Sequence, residues 1–177
     1  VICGSKAIGA VCVVDTNKRK FSQSEIYTMC TLAKAVSLEE ERKTTEAALR
    51  KSEEQYRHLY KMLRLLSDNV PDLIWAKDMD NRYMFVNQAL CNKLLKCEQP
   101  EDAVGKNDVY FAREESKAGN THTFGETSAE SDELVKKDRS VRRFTEEGFV
   151  RNKHLILDVH KAPFLDENGN IIGTVGC

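Results

Sequence analysis

The chain lacks the features that most directly indicate a membrane or a nucleic acid as partner. No part of its 177 residues approaches the ~20 consecutive apolar residues that span a bilayer. Its 27 Lys and Arg nearly balance its 28 Asp and Glu, and a net charge of −1 provides no electrostatic attraction to nucleic acid or anionic lipid. No secretory leader follows Val1. We therefore expect a cytoplasmic piece of a longer protein, with no nucleic acid and no membrane as partner.

Motifs for metals, cofactors and catalysis are missing as well. The six cysteines form no C-x-x-C pair, so we expect reduced thiols rather than a disulfide framework. No short-spaced set of zinc ligands, P-loop or Gly-x-Gly-x-x-Gly pattern occurs. The sequence therefore predicts no catalytic residue, no metal site and no enzymatic activity within these residues, and it leaves any cofactor unknown.

A long stretch without glycine or proline, residues 21–70, predicts a single helix. Ser22 and Glu25 form a capping box, in which each side chain accepts from the other residue's backbone amide at the helix start. Pro71 ends the helix because it has no amide donor. The predicted helix spans about 24–68.

Apolar residues recur every seven positions along this helix, as in a coiled coil. One series is Leu49, Tyr56, Leu63 and Val70, and the companion series is Leu38, Leu59 and Leu66. Because such a helix has little stability alone, a second copy of the chain is the simplest partner. Polar residues interrupt the pattern at 39–54, so a partly frayed linker is the alternative. The predicted dimer seam comprises Leu49, Tyr56, Leu59, Leu63 and Leu66.

Beyond Pro71 the pattern changes to short strands and helices. Strands are predicted at 73–77, 82–86, 141–150, 153–164 and 171–177. Asn87 predicts the start of a short helix, 130–139 is predicted as another, and the polar residues 96–133 predict only helical fragments. The fold class is α+β: a five-stranded antiparallel sheet with short helices on one face, preceded by the long coiled-coil-like helix.

Residues from about 70 to 177 resemble a PAS domain. The resemblance rests on four segments: Val-Pro-Asp-Leu-Ile-Trp at 70–75, Tyr-Met-Phe-Val-Asn-Gln-Ala at 83–89, Val-Gly-Lys-Asn-Asp at 104–108, and Lys-Ala-Pro-Phe at 161–164 with the turn and strand that follow at 166–173. The final Gly-Thr-Val-Gly-Cys is similar to the family's last strand. The Asp-Ile-Thr-type motif and exit helix that follow it in the family are not present.

Residues 7–40 resemble the end of a GAF domain. The apolar run at 7–14 predicts a strand buried on both faces, and Phe21, Ser22 and the helix follow as in that family's last elements. These resemblances imply three parts: a GAF-like remnant at 1–37, a linker or signalling helix at 38–69, and a PAS-like sensor domain at 70–177.

Together, the two resemblances imply a cytosolic sensory module of a bacterial signalling protein, such as a histidine kinase or a cyclic-di-GMP enzyme. It would sense a small ligand or a partner, relay through a homodimeric helix, and adjoin GAF and output domains of the same chain. The alternative is a ligand-free dimerisation scaffold. A catalytic domain that uses Asp158 and His160 is a third interpretation, disfavoured because no nucleophile accompanies them.

PAS-like domains often hold a ligand between sheet and helices, and one set of side chains is predicted to line such a pocket. The alternative is that its aromatic members only fill the core. Cys91 lacks the surrounding residues of a flavin photoreceptor, and the four histidines offer no clear axial ligand, so flavin and haem are disfavoured. The predicted ligand-binding residues are Trp75, Phe85, Phe111, Leu134, Phe144 and His160.

Overall fold

The computed structural model describes residues 2–3, 6–7, 9–12 and 16–177. The chain divides into two compact units, Val1–Lys61 and Met62–Cys177. None of the helices in the described residues combines the length and the apolar character needed to cross a membrane.

The first unit begins with a small antiparallel pair, β1 (Ile2–Cys3) and β2 (Lys6–Ala7). The strand predicted at 7–14 is wrong for residues 9–12, which are exposed and belong to no regular element. An apolar run forms a buried strand only where neighbouring elements cover both of its faces. Residues 8, 13 and 14, which complete that prediction, lie outside the described residues.

The predicted long helix is present as α1 (Gln23–Asp68). Its capping box forms as expected: the Ser22 amide donates to a Glu25 carboxylate oxygen at 2.7 Å, and the Glu25 amide donates to the Ser22 hydroxyl at 3.3 Å. The Ser22 amide and the Ser22 hydroxyl both donate to the Glu25 carboxylate and hold its pKa at about 2, with a smaller contribution from Arg19. Local sequence therefore determines where this helix begins.

The second unit is built on a five-stranded antiparallel sheet, which confirms the predicted fold class. The strands are β3 (Trp75–Asp78), β4 (Tyr83–Val86), β5 (Arg142–Val150), β6 (Lys153–Leu165) and β7 (Ile171–Gly176). Their spatial order is β4-β3-β7-β6-β5. The last strand of the chain therefore lies between the first hairpin and the long β5–β6 hairpin.

Helical segments occupy the chain between β4 and β5. They are α2 (Gln88–Leu90), a π-helical turn (Cys91–Leu95), a 3-10 turn (Pro100–Ala103), α3 (Asp108–Lys117) and α4 (Phe124–Asp138). Helix α4 begins six residues before the predicted helix at 130–139. Its first turn packs closely on α3, since a Cβ on Gly125 would lie 3.3 Å from the Ala112 Cβ. Tertiary packing thus extends a helix whose first residues have weak helical propensity.

Asn87 joins the end of α1 to the sheet and to α2. Its side-chain amide donates to the carbonyls of Ser67 at 2.9 Å and Asp72 at 2.8 Å, while its oxygen accepts from the amides of Ile74 and Leu90, each at 3.0 Å. The side chain is completely buried. One side chain therefore connects the end of α1, the segment that leads into β3, and α2.

The sulfurs of Cys91 and Cys97 lie next to each other, with 5.2 Å between the Cα atoms, a separation within the range of disulfides. The expectation of reduced thiols stays a prediction. Lys96 takes a left-handed backbone conformation (φ 58°) at the end of the π-helical turn and brings Cys97 back towards Cys91. Sequence spacing alone does not show this reversal, because it depends on one backbone angle.

Candidate ligand-binding site

A cavity of about 680 Å³ lies in the second unit, and apolar side chains form most of its wall. Side chains alternate across a strand, so β6 turns Leu155, Leu157 and Val159 inward while Ile156 and His160 lie exposed on the opposite face. A cavity of this size is typical of sites for small organic molecules. The apolar wall comprises Leu73, Trp75, Leu90, Leu94, Val150, Leu155, Leu157 and Val159.

Trp75 carries an unsatisfied polar group on this wall. Its side chain is only 8% exposed, and its indole Nε1 has no hydrogen-bond partner within the part of the chain that the structure describes. Buried donors are nearly always paired, in many cases by water or a ligand. Gly176 makes room for the ring, because a Cβ there would lie 2.6 Å from the Trp75 Cζ2. Trp75 therefore brings one buried polar group without a partner in the described residues to the cavity wall.

The polar side of the cavity is a buried ionic network. The Lys77 ammonium donates to Asp108 at 2.5 Å and to Asp132 at 2.7 Å, and the Tyr83 hydroxyl donates to Asp108. Burial alone would lower the pKa of Lys77, but these two carboxylates outweigh it and raise that pKa. Burial, reinforced by the Asp108 charge, raises the pKa of Tyr83 well above its usual value. Lysine and tyrosine thus keep their protons.

The network continues to a second buried lysine. The Lys161 ammonium lies 3.1 Å from Asp132 and 3.0 Å from Glu146, and it donates to the Ser131 hydroxyl at 2.6 Å. Ser131 in turn donates to Glu146 at 2.6 Å. Burial would raise the pKa of Asp132, yet Lys77 and Lys161 together lower it. Every ionised group of this network is therefore compensated by a neighbour.

Sequence analysis missed this network, although strand alternation contained a signal for it. Lys77 lies two residues after Trp75, and Lys161 lies two residues after Val159, so each lysine shares the inward face of its strand with a buried apolar residue. An inward lysine requires a buried anion. The partners on α3 and α4 are not adjacent in sequence and give no comparable signal.

The structure disperses the six predicted ligand-binding residues. Trp75 lines the cavity. Phe111 is buried against Tyr83, and Phe85 lies under the Arg64 guanidinium. Phe144 is half-buried at the edge of the core, and both Leu134 and His160 are exposed. Ligand binding at these six positions stays a prediction.

The predicted dimer seam consists of exposed side chains. In the first unit Leu49, Tyr56 and Leu59 are each at least 60% exposed, and in the second unit Leu63 and Leu66 are at least 50% exposed. Large apolar side chains that are solvent-exposed and spaced at heptad intervals are typical of helices that associate with another helix.

The five-stranded antiparallel sheet, the helices on one face and the cavity between them define an α+β domain. Residues 67–177 match the family model described as PAS fold, and the chain belongs to this family. The match does not extend over residues 7–40, so the GAF resemblance stays a prediction. No protein of curated function matches the sequence.

Several solved structures share the fold. VqmA of Vibrio cholerae, in a complex with ligand and DNA, is 18% identical with a TM-score of 0.53, over 67% of this chain and 49% of VqmA. A phage VqmA–DPO complex is 18% identical with a TM-score of 0.51, over 71% of this chain and 53% of that one. A PAS domain from Colwellia psychrerythraea is 14% identical with a TM-score of 0.48, over 67% and 92%.

This chain spans about half the length of the VqmA chains that it matches. At 18% identity the likeness shows the fold alone. Because VqmA is a dimer with a target DNA, the comparisons lend no support to the expectation that nucleic acid is excluded as a partner.

Proposed function

We propose that the PAS domain is the sensory module of a signalling protein and that it binds a small organic molecule in its cavity. The observation that carries this proposal is the cavity of about 680 Å³ with its mostly apolar wall. A core built only for stability has little reason to leave a void of this size. That a phage VqmA holds DPO is consistent with ligand binding by this fold.

Native mass spectrometry of the purified chain tests the proposal. We expect extra mass that is released on denaturation, and we expect Leu157→Trp to abolish it by filling the cavity. Ile156→Trp is the matched control, since Ile156 is the exposed neighbour on the opposite face of β6. Extra mass that survives in Leu157→Trp would contradict binding in this cavity.

Binding without catalysis is the activity that we propose for these residues. The buried lining carboxylates are engaged within the chain: Asp108 with Lys77, and Glu146 with Lys161. Asp158 likewise accepts two hydrogen bonds from Arg143, each of 2.7 Å. A catalytic group needs a lone pair or a proton that is free for the substrate.

Dimerisation through α1 is the second part of the proposal, and the exposed seam supports it. In a homodimer, two states of the helix pair would relay a change in the cavity along the chain. If the cavity holds no ligand, the chain is a dimerisation scaffold. The GAF-like origin of residues 1–37, neighbouring output domains, and a histidine kinase or cyclic-di-GMP enzyme as the full protein are proposed on sequence resemblance alone.

Analytical ultracentrifugation tests the seam. We expect Leu59→Glu with Leu63→Glu to give monomers whose PAS domain stays folded. Leu65→Glu is the control, because Leu65 is equally exposed but lies outside the heptad positions. A double variant that still dimerises would refute the seam.

A further inference from the structure

The cavity has a cationic side formed by four residues, Lys93, Lys96, Arg151 and Lys153, here called the cationic rim. Lys93 belongs to the π-helical turn and Lys96 directly follows it. Arg151 lies in the turn between β5 and β6, and Lys153 is the first residue of β6. Two separate segments of the domain therefore bring positive charge to one part of the cavity wall.

Three of these four charges have no carboxylate partner within the described residues. Arg151 is paired with Glu115 at 2.8 Å. Lys93 donates only to the Pro71 carbonyl, and Lys96 donates only to the Asn92 carbonyl. The Lys153 ammonium has no partner among the residues that the structure describes. Carbonyls accept hydrogen bonds but do not neutralise an ammonium group.

The acidic lining residues do not balance this excess. Asp108 is paired with Lys77, Glu146 with Lys161, and Asp158 with Arg143. Only Asp72 lines the cavity without an ion pair in the described chain, and it is solvent-exposed. Three uncompensated ammonium groups thus face one uncompensated carboxylate.

The rim charges also act on one another. Partial burial lowers the pKa of the Lys96 ammonium, the charges of Arg151 and Lys153 lower it further, and the Glu115 charge opposes them. An anion placed among these groups would relieve that repulsion and accept charge-assisted hydrogen bonds.

The rest of the wall extends away from the rim as an apolar surface. From Lys153 to Val159 the inward face of β6 covers about 20 Å, at a rise of ~3.3 Å per residue. Its inward side chains along this length are Leu155, Leu157 and Val159. This length accommodates an extended hydrocarbon or aromatic body that begins at the rim.

We propose that the cavity binds an amphipathic organic carboxylate, with the carboxylate at the cationic rim and the apolar body along β6. The inference rests on the proposed ligand-binding function and names the chemical class of the ligand.

Titration of the chain with dodecanoate and with dodecanol, both below micelle-forming concentration, tests this class. Trp75 is the only tryptophan of the chain and lines the cavity, so its fluorescence reports occupancy. We expect dodecanoate to bind at least tenfold more tightly than dodecanol, with a preference that decreases as salt is added. Lys96→Gln with Lys153→Gln should remove the preference, whereas Lys137→Gln, an exposed lysine outside the cavity, should keep it.

Lys153→Gln alone serves if the double variant fails to fold, because Lys153 is exposed and has no side-chain partner to lose in the described structure. It should lower the preference at least threefold. Equal affinity for the two probes would contradict the proposal that the ligand is a carboxylate, but it would leave small-molecule binding in the cavity intact. An unchanged affinity for dodecanoate in the rim variants would also contradict the carboxylate proposal. If neither probe binds while native mass spectrometry still shows a cavity ligand, the proposed ligand class is wrong and the proposed function stands.

Discussion

Asp132 should be among the most costly residues of the PAS domain to truncate. Its carboxylate is fully buried and accepts from Lys77 at 2.7 Å and from Thr174 at 3.2 Å, with Lys161 at 3.1 Å. Asp132→Ala leaves two buried ammonium groups with one carboxylate each. Breaking a buried pair costs about 3–5 kcal/mol, and we expect about 3 kcal/mol because Asp108 and Glu146 stay in place.

Urea unfolding followed by Trp75 fluorescence measures this loss in the PAS domain itself. With an m-value of about 2 kcal/mol per molar urea, 3 kcal/mol lowers the midpoint by about 1.5 M. Asp138→Ala is the control on the same helix, since Asp138 pairs with Arg142 in a partly exposed position and should cost less than about 1 kcal/mol. Equal losses in the two variants would refute a structural role for the network.

Two further predictions concern His122 and Gly176. Burial lowers the pKa of His122, so the contribution of this residue to stability is complete above pH 6.5 and is lost as the pH falls through the lower folded-state pKa. The loss of unfolding free energy between pH 7 and pH 5 should therefore be smaller in His122→Gln than in the wild type. Equal losses in the two proteins would contradict a lowered pKa of His122. Gly176→Ala places a Cβ 2.6 Å from Trp75 and 2.7 Å from the His160 carbonyl, so it should destabilise the domain by about 1–3 kcal/mol and shift the Trp75 emission. Gly169→Ala, with open space around it, should leave that emission unchanged.

Local signals predicted α1 well. The Ser22–Glu25 capping box and the absence of glycine and proline in residues 21–70 act within a few residues of where they occur, so they could be evaluated without the fold. The strands of the sheet were predictable for the same reason, from alternation and turn residues.

The cavity was harder to predict because its members meet only after folding. Aromatic type suggested Phe85, Phe111 and Phe144, whereas position on the inward face of a strand selects Leu155 and Leu157. Residue type indicates that a side chain is apolar, but the register of the sheet decides whether it faces a void or a neighbour.

The approach of Cys91 to Cys97 and the formation of α3 depended on tertiary structure in the same way. One positive φ at Lys96 brings the two sulfurs together. Helix α3 is capped by Asn107, whose side chain accepts from the Tyr110 amide, within a polar stretch that offered no apolar periodicity. Its stability comes from packing rather than from its own pattern.

Asn87 connects the cavity wall to the end of α1. Leu90, whose side chain forms part of the cavity wall, has its amide bound to the same side chain that holds the carbonyls of Ser67 and Asp72. We expect a bound molecule that displaces Leu90 to disturb the hydrogen bonds that the Asn87 side chain makes to the last turn of α1.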